Sequence, residues 1–291
     1  MLRIISGWPR VADRLAYRLP ADRRARVLRR LREREFNRFV ERRIGPSYRP
    51  VPLGPVPAPE LVGQTSAMLP EDAAVAAAPD EYFGGAYLGV LLFLNLLERN
   101  GFNLRNVGSV FELGCGSGKL IRLFRCIGGA RLVGSDVNPA QIEWAQAHVP
   151  GVEFHVNELA PPLAFAAGDE FDLAYAASVF THIPLDAQEG WIAEIARVVR
   201  PGGYFLCTLA GNAHAARQLS TKQREQLERD GSFTLSPDDE GASYATQQTQ
   251  QCDVFQTRRA VIDAFAPYWE IRDYVTDPTG QDNLVLRKPR G

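Results

Sequence analysis

The chain has 291 residues, 45% of them apolar, and a formal net charge of −1. That length supports one large domain with a true core, or a domain plus an appendage, and needs no disulfide staples. The near-neutral total argues against a generally basic nucleic-acid binder, but it hides an asymmetry: residues 1–50 sum to +10 and the remainder to −11.

Met1–Pro20 is interrupted by Arg3, Pro9, Arg10, Asp13, Arg14 and Arg18. It therefore lacks the continuous apolar stretch of a secretory signal. The longest apolar run, Ala86–Leu97, is about half the ~20 residues a membrane span needs. The expected location is the cytoplasm, or the cytoplasmic face of a membrane. Over Ala21–Ile44 the spacing of Val27, Leu28, Leu31, Phe36, Phe39, Val40 and Ile44 predicts one apolar helical face ringed by arginine. Such a helix packs on the main domain with a solvated outer face. Alternatively it lies on anionic lipid as a peripheral anchor, or docks on an acidic protein partner. Arg49–Pro59 holds five prolines and predicts an extended connector. Residues 1–79 are thus an Arg-rich helical extension with a Pro-rich connector, and 80–291 the main domain.

From Tyr82–Arg99, the first expected helix of that domain, strands and helices alternate. Ser109–Leu113, Arg131–Ser135, Val152–Val156, Phe171–Ala177 and Tyr204–Leu209 are the predicted strands. Lys119–Ile127, Pro139–His148 and Asp186–Val199 are the intervening helices, the last ended by Arg200-Pro201-Gly202-Gly203. This alternation implies a parallel sheet covered on both faces. Farther on, Ser220 caps a helix over Thr221–Arg229 that Gly231 stops, and Ala245–Gln251 is Gln-rich. A helix at Thr257–Phe265 precedes strands at Trp269–Val275 and Asn283–Arg287. The turn residues Asp277-Pro278-Thr279-Gly280 make these two strands a hairpin. Cys115, Cys126, Cys207 and Cys252 form no CxxC pair, and His and Cys do not cluster; free thiols and no metal site are expected.

The chemistry concentrates in Glu112-Leu113-Gly114-Cys115-Gly116-Ser117-Gly118-Lys119. Glycines in a strand-to-helix turn let backbone approach a ligand, and the helix start offers free N–H groups to an anion. An acidic residue ending the second strand, Asp136, can accept hydrogen bonds from both hydroxyls of a ribose. A dinucleotide site shows GxGxxG, whereas this chain has GxGxG, with Lys119 at the expected third glycine.

That arrangement resembles motif I of class I S-adenosylmethionine-dependent methyltransferases. Asp136-Val137-Asn138-Pro139, Phe171-Asp172-Leu173 and Arg200-Pro201-Gly202-Gly203 are similar to the family's later motifs, and the resemblance covers roughly residues 80–291. It implies an α/β fold, with a Rossmann-like seven-stranded mostly parallel sheet and a C-terminal antiparallel hairpin. It also implies S-adenosyl-L-methionine as cofactor, held by Glu112, Gly114, Gly116, Gly118, Asp136, Val137, Asn157 and Ser178. Glu112 would contact the cofactor's ammonium, directly or through water, or else serve as a structural partner of the turn. Asn157 would face the adenine amino group. Ser178-Val179-Phe180-Thr181-His182, Pro161-Pro162-Leu163 and Gly280-Gln281-Asp282 resemble a bacterial subgroup associated with surface polysaccharides. The implied reaction is O-methylation of a sugar or other small hydroxyl acceptor.

His182, after the fourth strand, is the candidate proton acceptor, or else a residue shaping the cofactor site. His214 is second, Tyr175 and Asp282 are weaker, and His148 and His155 look structural. Nucleic acid is an unlikely partner. A nicotinamide-dependent oxidoreductase and a non-catalytic cofactor-binding scaffold are the alternatives.

Overall fold

The computed structural model describes residues 19–66, 70–236, 238–239, 252–277 and 280–290. The expectations for residues 1–18 and for the Gln-rich stretch 245–251 lie outside the described residues. Strands β1 (Ser109–Leu113), β2 (Arg131–Asp136), β3 (Glu153–Val156), β4 (Phe171–Ala176), β5 (Val199–Leu209), β8 (Glu270–Val275) and β9 (Asp282–Arg287) form one seven-stranded sheet in the order β3-β2-β1-β4-β5-β9-β8. β1 to β5 are parallel, and β9 runs antiparallel to both β5 and β8. This is the doubly wound sheet with a reversed hairpin that the alternation of elements implied.

Side-chain period two divides the strands between two cores. Val110, Leu173, Tyr175 and Leu206 face one side. There they pack with helices α1 (Ala21–Ile44), α4 (Pro79–Arg99) and α5 (Pro139–His148). Phe111, Ala174, Phe205 and Cys207 face the other side, against α6 (Leu185–Val198) and α9 (Arg258–Phe265). The helix starts follow local chemistry. α4 has Pro79 in its first turn beside Asp80 and Glu81, which suit the positive end of the dipole. Asn138 caps α5, and Thr257 caps α9.

The apolar face of α1 is used inside the molecule. Phe36 and Val40 are fully buried, and Phe36 lies 5.3 Å from the ring of Tyr87 on α4. Two short helices, α2 (Pro59–Ser66) and α3 (Pro70–Ala76), follow the extended connector; the Ala-rich stretch holding α3 has no strong period.

Two expected elements differ. In place of an α-helix over Lys119–Ile127 there is a turn and a 3₁₀ helix at Ile121–Cys126. A first α-turn would join the Ile121 N–H to the Ser117 carbonyl. Instead the Ile121 N–H donates to Glu112 Oε2 at 2.9 Å, and Arg122 Nη2 donates to the Ser117 carbonyl at 3.0 Å. Arg200–Gly203 belongs to β5 rather than to a loop before it. Val199 already pairs with Phe171 through a bulge, and Gly202 and Gly203 bond across to Lys288.

Between β5 and α9 lies an insert: α7 (Asn212–Gln218), α8 (Thr221–Asp230), and the antiparallel pair β6 (Ser232–Leu235) and β7 (Asp253–Gln256). α8 carries the Ser220–Gln223 capping box and ends at Gly231 with φ +81°. The insert has a small core of its own, with Leu219, Leu227, Leu235 and Phe255.

Because Phe36 is wholly enclosed, Phe36→Ala should destabilise the whole protein by ~3–5 kcal/mol, seen as one shifted denaturant transition. A separate early transition confined to α1 would contradict a shared core.

Candidate functional site

The chain order reverses beside β1: β2 and β3 lie to one side, β4 and β5 to the other. Ligands of open α/β sheets bind outside the carboxyl ends of the strands at such a switch. The register brings those ends level, since Leu113 pairs with both Ser135 and Ala176, and Ala176 with Cys207. β9 is reversed, so its start, Asp282, arrives at the same edge opposite Leu209.

The turn after β1 passes through positive φ at Gly114 (+69°), Gly116 (+51°) and Gly118 (+71°). A Cβ on Gly114 would stand 2.4 Å from Val179 Cγ2, and one on Gly118 2.8 Å from Phe154 Cζ. Only glycine satisfies both the dihedrals and the space. The Gly116 N–H donates to Asp136 Oδ2 at 2.8 Å, and the Asn138 N–H to Asp136 Oδ1 at 2.9 Å. The Asp136 carboxylate is thereby held against the glycine turn. Burial pushes its pKa up, against the backbone N–H groups of Asn138, Gly116 and Val137 that hold it down.

Glu112 lies under this turn, only 2% exposed. Its Oε2 accepts from the Ile121 N–H and from the Tyr175 hydroxyl at 3.0 Å. This is the structural arm of the expectation for Glu112: the side chain caps the 3₁₀ helix. Desolvation pushes its pKa up to about 8, despite those two donors. The N–H group that a helix start would offer an anion is here spent on Glu112.

Arg122 fastens the turn from the other side. It is 1% exposed, and its guanidinium donates to the carbonyls of Ser117, Gly118, Leu53 and Pro55. The Pro-rich connector is thus tied to the glycine turn. Ser117 also shares a 2.9 Å hydrogen bond with the Tyr82 hydroxyl on α4. Lys119, at the place where a dinucleotide fold wants glycine, has its ammonium 4.9 Å from the Tyr82 ring centre, and burial lowers its pKa.

Val137 is 39% exposed next to Asp136. Asn157 follows β3, donating through Nδ2 to the Glu158 carbonyl, while its Oδ1 is a buried acceptor with no partner. Ser178 holds φ +59°, its N–H on Thr208 Oγ1 and its hydroxyl on Gln281 Oε1. The turn carrying Ser178 runs on to His182. His182 Nδ1 lies 3.1 Å from the Cys252 carbonyl and 3.4 Å from Asp253 Oδ1. A carbonyl only accepts, so Nδ1 carries the proton and Nε2 keeps the lone pair in the neutral ring.

The other candidates are placed differently. His214, on α7, contacts Arg217 and the Gly280 carbonyl, and burial lowers its pKa. Tyr175 is buried on Glu112. Asp282 is held by the Tyr274 hydroxyl and the Asp277 N–H inside the hairpin. His148 stacks on Trp144 and His155 on Phe165. Sequence reasoning passed over Arg122, Thr208 and Asp253. Arg122 sits in a segment read only for its apolar spacing, and Asp253 reaches His182 from 71 residues away in sequence.

Among the described residues no helix is long and apolar enough to cross a membrane, and no group of His, Cys, Asp and Glu could hold a metal ion.

Residues 111–207 match the model of a methyltransferase domain family. The malonyl-[acyl-carrier protein] O-methyltransferase of Hahella chejuensis is 36% identical over 105 residues, covering 34% of this chain and 35% of its own length. A sterol 24-C-methyltransferase of Gibberella zeae is 32% identical over 105 residues, covering 33% of this chain and 26% of its own. The chain therefore spans about a third or less of the length of these curated relatives. A solved protein of Pyrococcus horikoshii superposes with a TM-score of 0.51 at 16% identity, over 70% of this chain and 91% of that one, and so shares the fold.

The buried carboxyl generates a pH prediction. The folded state holds the Glu112 proton to about pH 8, whereas the unfolded chain releases it near the ordinary 4.5. Between these values the folded state binds more protons, so stability falls as pH rises through that window, by at most about 1.4 kcal/mol per unit. Glu112→Gln keeps an acceptor oxygen and removes the titration, so denaturant melts across that window should lose this slope. An unchanged slope in the variant would sink the assignment.

Proposed function

We propose that this protein is an S-adenosylmethionine-dependent methyltransferase acting on the hydroxyl of a small acceptor, a sugar hydroxyl being the class the sequence resemblance suggests. The observation that carries the reading is the cradle at the switch point, whose polar groups complement those of the methyl donor. Asp136 presents a carboxylate to a pair of ribose hydroxyls beside the positive-φ glycines. The partnerless Asn157 Oδ1 is the complement of an exocyclic amine, and the exposed Val137 offers an apolar surface to a base. S-adenosylmethionine supplies an electrophilic methyl carbon on a sulfonium, open to in-line displacement.

What remains for the protein is to align the acceptor and remove its proton. His182 stands on the turn after β4 with Nε2 as the basic nitrogen, and Asp253 beside Nδ1 stabilises the imidazolium that forms when Nε2 takes the acceptor proton. Alignment supplies the larger share of the rate, up to about 7–11 kcal/mol in favourable cases. The β6–β7 insert, which brings Cys252 and Asp253 to His182, is the natural wall of the acceptor site.

The relatives differ in the atom they methylate, one named for oxygen and one for carbon. That pattern supports a donor site in the matched segment and acceptor choice in the segments around it. The hydroxyl assignment therefore rests on the His182 pair and not on the relatives.

Titration calorimetry with S-adenosylhomocysteine and with NAD tests the donor. Binding of the first is expected, and NAD binding without it would overturn the reading. Asp136→Ala should weaken that binding at least tenfold, since a ribose loses its anionic acceptor. His182→Ala should retain donor binding but lower turnover about 10²–10⁴-fold, the usual worth of a general base, in a labelled methyl-transfer screen over sugar nucleotides and glycans. Normal turnover in that variant would remove His182 from the chemistry.

A further inference from the structure

Arg23, Arg26, Arg30, Arg34, Arg38 and Arg42 recur every three or four residues along α1, and all six are exposed. That spacing sets them on one side of the helix. From first to last the row runs roughly 28 Å, at 1.5 Å per residue. Arg26 is paired with Asp80, whereas the other five form no ion pair with any described residue. Among the α1 residues whose burial is described, Glu41 is the one exposed acid.

The opposite side of α1 is occupied. Leu28, Phe36, Phe39, Val40 and Ile44 are buried, and the helix lies on α4. An amphipathic helix that binds lipid by inserting its apolar face needs that face free. α1 cannot present it without unpacking the core, so what α1 offers a partner is charge.

We propose that this arginine row docks the protein on an anionic lipid surface. A row of guanidinium groups, five of the six without an acidic partner among the described residues, complements a flat, laterally continuous field of phosphates. The upstream sequence argues for lipid over nucleic acid. Leu2, Ile4, Ile5 and Trp8 are interleaved there with Arg3 and Arg10. Apolar and Trp side chains next to arginine suit the boundary between headgroups and acyl chains, and a polybasic patch joined to one apolar anchor is the combination that gives stable attachment. The charge asymmetry of +10 against −11 turns the rest of the molecule away from an anionic surface. The helix that carries the row is linked to the donor site through α4. α4 meets α1 at Gly84, where a Cβ would stand 3.4 Å from Arg32 Nη1, and meets the glycine turn at Tyr82.

The test is cosedimentation of the full-length protein with phosphatidylcholine vesicles containing phosphatidylglycerol, against phosphatidylcholine alone. Binding to the anionic vesicles only is expected, weakening as salt is added. The triple variant Arg30→Gln, Arg34→Gln, Arg38→Gln should lose on the order of a hundredfold in partitioning, about fivefold for each charge. Its melting temperature and S-adenosylhomocysteine binding should stay unchanged. The triple Arg→Lys variant at the same positions should retain vesicle binding. Equal binding to neutral vesicles, undiminished binding by the glutamine triple, loss in the lysine triple, or binding to duplex RNA without binding to vesicles would each overturn the proposal.

Discussion

The turn after β1 goes through positive φ three times within five residues, and a backbone bent that way keeps its shape only if its polar groups are held. Two buried side chains do this from opposite sides. Glu112 takes the first N–H of the 3₁₀ helix, and the Arg122 guanidinium takes the Ser117 carbonyl that this N–H would have met and shares the Gly118 carbonyl with its own backbone N–H. Both are ionisable groups removed from water; the Arg122 guanidinium donates to four carbonyls, and Glu112 accepts two hydrogen bonds through Oε2. The arrangement explains why the segment starts as 3₁₀ rather than α. Arg122 extends the constraint outward, since Leu53 and Pro55 are bonded by the same guanidinium. The connector therefore belongs to the site's foundation.

Around that turn the molecule divides its labour by sheet position. The ends of β1, β2 and β3 supply the glycines, Asp136 and Asn157, the groups suited to a nucleoside. The ends of β4 and β5, with the insert, supply Ser178, Thr208, His182 and Asp253. The first set comes from a continuous run of the chain, and it lies, with Ser178 and His182, inside the segment that matches the methyltransferase-domain model, whereas Thr208 and Asp253 lie beyond it. The second depends on an insert stabilised by a small core of its own, anchored by the Thr181–Val254 backbone bond and the Ala210–Phe255 bridge.

α1 shows how packing selects among the uses of one amphipathic pattern. Its apolar side could in principle face lipid, another protein or its own domain. In this molecule it is consumed by α4, through Phe36 on Tyr87 and the neighbouring contacts, and the ion pairs of Arg29 with Asp80 and Arg43 with Glu98 fasten its flanks. Exposed pairs of this kind contribute little to stability, so apolar burial holds the helix. Arg23, Arg30, Arg34, Arg38 and Arg42 point outward without an acidic partner among the described residues.

The sequence by itself determined the βα alternation, the reversed C-terminal hairpin, the cap at Ser220, and the glycine turn followed by Asp136. Each is written in local signals: period two or 3.6, capping residues, and glycines where φ must be positive. Only the tertiary structure decided that residues 119–127 do not form an α-helix, because the competing partners, Glu112 and Arg122, act through side chains whose reach no periodicity records. Only it showed β6 and β7, two four-residue strands separated by a Gln-rich stretch, since strands that short carry too little pattern to be recognised alone. It also decided that Asp253 belongs with His182 and that Glu112 lies beneath the turn. Local sequence fixes which backbone shapes are cheap. Which distant side chains share a buried volume is settled only when the sheet closes and the layers pack.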